Sequence, residues 1–290
     1  FTGVTSVAGD NNLGHVNANA AATLSKDNAL STQGIEFSDI GSMDLGGQTL
    51  IGSKSHDSFK IFTNGNGVNA NGIEIVNLDR TINVNGAASL SGAQNNTWQL
   101  TNTTNTLEDS RDNGFIFIGV NAANLQGETL NASAAQNKFD ITGAQKLTAA
   151  DIDFSNVAEV NAYDNKGYVI TNNVAELTDG KNQLKTQGVI INGVDQAYLS
   201  NNALKGSETG STLELISESR VDASGIKFFD FGSLDGNDNA GTLISKLDTP
   251  QWTMTTANSG TVNNVEFKGF KTLKNSVGDL KLITDRAAEF

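Results

Sequence analysis

The sequence predicts an all-β chain wound as a right-handed parallel β-helix, a β-solenoid, and three observations carry that prediction. A four-residue burst with two apolar positions recurs seven times at nearly constant spacing. Each recurrence is followed, at a fixed offset, by a residue that tolerates a left-handed backbone. No stretch shows the i, i+3, i+4, i+7 pattern of a helix array. The bursts open at Gly34, Gly72, Gly114, Asp151, Gly188, Gly225 and Asn264, at intervals of 38, 42, 37, 37, 37 and 39 residues.

Aligned on these anchors, the columns have physical content. The next position holds Ile35, Ile73, Phe115, Ile152, Val189, Ile226 and Val265, and two residues on stand Phe37, Ile75, Phe117, Phe154, Ile191, Phe228 and Phe267. All are β-branched or aromatic, and a spacing of two places both columns on one face of a strand. Then comes a column restricted to Asp, Asn and Gly: Asp39, Asn77, Gly119, Asn156, Gly193, Asp230 and Gly269. These residues best accept the backbone of a tight corner. An apolar residue follows each one, from Ile40 to Phe270.

The second half of the unit is looser. Short bursts at Thr49, Ser89, Thr129, Leu204 and Thr242 are followed by an apolar slot filled by Phe59, Trp98, Phe139, Leu177, Leu213 and Trp252. Two coils of about 18 to 19 residues per repeat, some 15 in all and about 4.8 Å apart, would make a rod on the order of 70 Å long. The right hand follows from the crossover preference. A propeller is the competing architecture, but its blades need antiparallel strands with hairpin signals. Residues 1–33 form atypical first coils, 34–263 six repeats and 264–290 a partial seventh. Because the first residue is Phe1, the whole is expected to be a single solenoid segment of a larger protein.

The net charge of −13 disfavours nucleic acid and anionic membranes as partners. No apolar run reaches the length of a membrane span, so no membrane insertion is expected of this segment. Without any Cys there is no disulfide framework and no thiolate chemistry.

Individual residues yield no catalytic, cofactor or metal assignment. Trp98 and Trp252 could stack on sugars, but they share a slot with Phe59, Phe139 and Leu213 and read as interior. Glycoside chemistry needs converging carboxylates. Asp39 with Asp230, and Asp44 with Asp235, share columns but lie far apart. The acidic run from Glu108 to Asp112 reads as a solvated loop. Asp235 to Asn239 opens like a calcium loop, yet Lys246 stands where a Glu is required. His15 and His56 suggest no ligand pair, and the sequons at Asn95, Asn102 and Asn131 are expected by chance in so Asn-rich a chain. The insertion from Thr101 to Asn113, in the longest repeat, is the best candidate binding loop.

The run from Gln251 to Val262, followed by Val265 to Leu273, resembles repeats of filamentous-haemagglutinin-like and giant repeat adhesins of Gram-negative bacteria. The resemblance implies a non-enzymatic β-helical shaft or binding segment, secreted or held at the bacterial surface. Its expected partner is a receptor or glycan on host or other cells. A β-helix polysaccharide lyase or hydrolase, and the stalk of a contact-dependent toxin delivery protein, are the alternatives.

Overall fold

The computed structural model describes residues 3–92, 97–111, 114–238 and 241–276, and the backbone of 281–284. The chain is an all-β solenoid of about nine turns held by parallel bridges. Its contacts divide it into two compact units, Phe1–Gln136 with Thr148–Ala158, and Asn137–Leu147 with Glu159–Phe290.

In the first unit the strands stack as two ladders. Met43 of strand Ile40–Ile51 lies beside Ile75 of Ile73–Asn83, while Leu50 and Ile82, from the far halves of the same strands, pair in the other ladder. All four side chains are fully buried. The core lies between the ladders, where the rings of Phe59 and Phe117 meet edge to face at 5.6 Å. Buried and outward residues alternate along many of the strands, as in Asp57–Ile61.

The corner column behaves as its composition requires. Asp39, Asn77, Gly119, Asn156, Gly193, Asp230 and Gly269 all have positive φ, between 50° and 78°. The apolar columns flanking it are mostly buried, with Ile35, Phe37 and Leu78 partly exposed.

Stacked parallel coils do not account for one feature. The burst strand closes a three-stranded antiparallel meander. Thr97–Leu100 pairs with Thr106–Asp109, which pairs with Ile116–Ile118. Ile116–Ile118 then lies parallel to residues 81–83, and Thr97–Leu100 parallel to Thr129–Asn131. The same pattern recurs in the second unit over Ala175–Leu177, Gln183–Thr186 and Val189–Asn192, and again from Thr212 and from Gln251. Gln33-Gly34, Asn71-Gly72, Gln187-Gly188 and Ser224-Gly225 each supply two successive positive φ angles, the primed two-residue turn that matches strand twist. The middle and last strands of each meander therefore fold back within one ladder instead of winding onward. Parallel partners consequently sit about 30 residues apart, as in Ser6 with Glu36 and Lys138 with Tyr168. That is why the turns number about nine rather than some 15.

Successive meanders alternate between ladders, so a second period spans two repeats. Asn28, Asn105, Asn182 and Asn258 occupy the first meander turn at spacings of 77, 77 and 76 residues, all with positive φ. Each carbonyl accepts an amide of a corner: Ile40 at 3.2 Å, Gly119 at 2.9 Å, Val194 at 2.9 Å and Gly269 at 2.8 Å.

Candidate functional site

The six slot residues, Phe59, Trp98, Phe139, Leu177, Leu213 and Trp252, open the meanders and are at most 1% exposed. Both tryptophans belong to the interior, as their column predicted. Each indole is satisfied there: Trp98 Nε1 donates to Glu128 at 2.6 Å and Trp252 Nε1 to Asn275 at 2.8 Å. Burial, the largest influence, holds the Glu128 carboxyl above its ordinary range against the opposing hydrogen bonds from Trp98 and Gly92.

The expected binding insertion, Thr101 to Asn113, is largely not a free loop. Its centre, Thr106–Asp109, is the middle strand of a meander, with Leu107 and Asp109 buried. Arg111 grips Asp109 through Nε and Nη2, at 2.9 and 2.6 Å to the same oxygen, and donates through Nη1 to the Phe62 carbonyl. The extra residues thus pin one meander to an earlier one, which corrects the reading of a solvated acidic loop. Asp112 and Asn113 lie outside the described residues.

The remaining single residues have local roles. Asp44 Oδ1 accepts the Gly46 amide at 2.8 Å and Asn77 Nδ2 at 3.1 Å. Asp235 accepts the Asn237 amide at 2.9 Å and meets Lys268 at 3.3 Å, so the calcium-like segment shapes a turn. Asn239 lies outside the described residues, as do Asn95 and Asn96. His15 contacts Ser42 and His56 contacts Ser89, in separate places. Among the described residues no cluster of three His, Asp or Glu could hold a metal ion, and no helix is long and apolar enough to cross a membrane.

The most distinctive surface lies on the second unit. All three tyrosines of the chain are Tyr163, Tyr168 and Tyr198. Tyr168, Tyr198 and Phe229 stand at outward positions of Gly167–Thr171, Val194–Lys205 and Ile226–Asp235, next to the buried Val169, Ala197 and Phe228. Their rings stack in sequence, with centroids 5.1 and 5.0 Å apart, close to the spacing of the strands that carry them. Tyr163 is half exposed. Its amide and carbonyl are both held by the side chain of Asn137, at 2.9 and 3.0 Å. The neighbouring Lys138 pairs in register with Tyr168.

Burial chiefly raises the Tyr168 hydroxyl above its ordinary range, helped by Tyr198 and the hydrogen bond between the two phenols. Charges bordering the rings come in pairs: Lys138 with Asp140 at 3.2 Å, Lys227 with Asp195 at 3.1 Å, and Arg220 with Asp222 at 2.7 Å. For Asp195, burial is the largest influence and opposes ionisation. Gln196 and Lys227 together outweigh it and lower the pKa. Asp140 Oδ1 is the one buried side-chain polar atom, among the described residues, with no hydrogen-bond partner. No motif marks this patch in the sequence. Its only signal is that scarce tyrosines fall within one short stretch.

Comparison with protein-family models, with curated proteins and with solved structures finds no match to this chain.

Proposed function

We propose that this chain is a non-enzymatic β-helical segment of a secreted or cell-surface bacterial adhesin, which spaces or presents a binding face to host or other cells. The observation that carries the reading is the repeat itself. Within each compact unit successive repeats direct most of their large apolar residues inward, and charges, amides and hydroxyls make up much of the outward surface. Such a build suits length, rigidity and solubility in an exposed rod. The acidic balance of the chain fits an extracellular surface that avoids nucleic acid and anionic lipid.

The test uses beads coated with the purified chain. Adherence to epithelial cells or to other bacteria, absent from albumin-coated beads, is the expected result. In parallel, the chain is incubated with uronic-acid polymers. Release of unsaturated or reducing ends, without adherence, would replace this reading with the lyase or hydrolase alternative.

A further inference from the structure

We infer that the tyrosine patch of the second unit is a binding site for an uncharged, polyhydroxylated glycan chain, laid across the strands along the Tyr168–Tyr198–Phe229 ladder. The inference rests on the adhesin reading above and names the partner class. Three independent observations support it. First, the chain has only three tyrosines; two of them stack on this one surface, and the backbone of the third, Tyr163, is held by Asn137, which precedes Lys138. Tyrosine offers a rigid apolar body with a polar tip, and surfaces that bind partners are enriched in it. Elsewhere the two tryptophans and most phenylalanines are buried in the core.

Second, the patch is electrically balanced although the chain carries a net charge of −13. Lys138, Lys227 and Arg220 are each neutralised by an aspartate within 3.2 Å. Tyr163 is followed by the pair Asp164 and Lys166, also in contact. Neither a polyanion nor a polycation finds an excess of opposite charge here, so the complementary ligand is neutral.

Third, the polar groups left open suit hydroxyls. The half-exposed Asp140 side chain meets Lys138 through Oδ2 and has a second oxygen, covered in the free chain, that is without a hydrogen-bond partner and that side-chain rotation would present. Its strand neighbour is Ile170, two residues from Tyr168. Gln196 spends its amide on Asp195 at 3.1 Å, which leaves its carbonyl for a further donor. Register places Gln196 beside Tyr168 and Lys227. Acceptors set against an apolar strip are what a sugar needs, because its hydroxyls donate while its C–H surface is desolvated. Ring spacings of 5.1 and 5.0 Å repeat this arrangement on successive strands, so a chain ligand can engage several rungs at once.

The experiment probes the intact chain on a printed array of neutral oligosaccharides, with sialylated and sulfated oligosaccharides as separate arms. Calorimetry then follows with the best neutral binder. The expected result is binding to a neutral glycan that changes little between about 50 and about 500 mM NaCl. Tyr198→Ala and Asp140→Ala should each weaken it by roughly tenfold or more, the scale of truncating one central contact. Tyr198→Phe, which removes only the hydroxyl, guards against a folding defect, and all variants are checked for an unchanged melting profile. Preference for the charged arms, strong salt dependence, or full binding by the Tyr198 and Asp140 variants would overturn the inference. Absence of glycan binding by a chain whose beads still adhere to cells would overturn the glycan while leaving the adhesin reading standing. Failure of both assays would remove both.

Discussion

The corner column makes Gly119 and Gly269 equivalent in sequence, and the structure makes them different. Four of the seven corners already carry a Cβ in the same left-handed conformation, at Asp39, Asn77, Asn156 and Asp230. By the column alone, Asn should replace either glycine at little cost. At Gly269, with φ +70°, an added Cβ would stand 3.2 Å from Asp235 Oδ1, the end of a side chain that can give way. At Gly119, with φ +78°, it would stand 2.5 Å from the backbone carbonyl oxygen of Val84. That carbonyl belongs to the neighbouring turn and cannot move alone, because the Val84 amide is bonded to Ile118 at 2.7 Å.

Asn in the left-handed region costs a few tenths to about 1 kcal/mol relative to Gly. Forcing the backbone apart at Gly119 adds about 1–3 kcal/mol, as other overpacked sites do. The expected gap between Gly119→Asn and Gly269→Asn is therefore about 2 kcal/mol. For a unit of this size that corresponds to roughly 4–8 °C in melting temperature. Far-UV circular dichroism melts and urea midpoints of both variants measure it. Equal destabilisation would show that corner backbone conformation alone sets the cost and that the Val84 contact is irrelevant. A Gly269→Val variant should fall well below Gly269→Asn, since a β-branched residue resists positive φ by about 1–2 kcal/mol.

Three further outcomes follow from hydrogen-bonded polar groups. Asp57 is fully buried and accepts the Ser53 amide, the Ser53 hydroxyl and Asn71 Nδ2, each at 2.7 Å. Asp57→Ala strands these donors and should cost about 3 kcal/mol in a urea titration, whereas Ser55→Ala should cost far less. Asn182 donates through Nδ2 to Val194 at 2.8 Å and Gly225 at 3.0 Å. Asn182→Ala should cost about 1–3 kcal/mol, and hydrogen exchange should rise at the Val194 amide while distant amides in the first unit stay protected. Glu128 has a pKa raised from 4.5, chiefly by burial. The folded state then holds its proton more tightly than the unfolded state, so stability falls as pH rises from about 4.5 to the raised value. Glu128→Gln keeps an acceptor for Trp98 and should flatten that part of the stability–pH curve. An unchanged slope in the variant would assign the dependence to another group.

The residues that face inward were legible because their chemistry is narrow. A left-handed corner admits few side chains, and a dry interior admits only apolar ones, so both left unmistakable columns from Ile35 to Phe270. The meanders were harder. Gln33-Gly34, Asn71-Gly72, Gln187-Gly188 and Ser224-Gly225 are two-residue hairpin turns, but each also opens the aligned burst. Read as the start of a strand, the glycine hides the antiparallel partner just before it. The same turns, taken as hairpin signals, would have predicted that strands pair locally as well as between coils. The longest repeat misled for a related reason: length added between Thr101 and Asn113 went largely into a buried strand and the Asp109–Arg111 clasp, not into a surface loop.

The tyrosine patch was invisible for a deeper reason, which is that sequence and space have different periods. The anchors recur mostly every 37 to 39 residues. Strands that touch in parallel are nearer 30 apart, because each meander inserts residues that fold back within a ladder. Tyr168, Tyr198 and Phe229 follow the shorter interval, so an alignment on the repeat scatters them into unrelated columns. Interior residues survive the mismatch, since every inward position wants the same apolar chemistry. Outward residues do not, and a surface that binds must therefore be sought at the spatial period. In any solenoid built from meanders of this kind, a face selected for binding should show its regularity at the stacking interval, and a face selected only for folding should show none there.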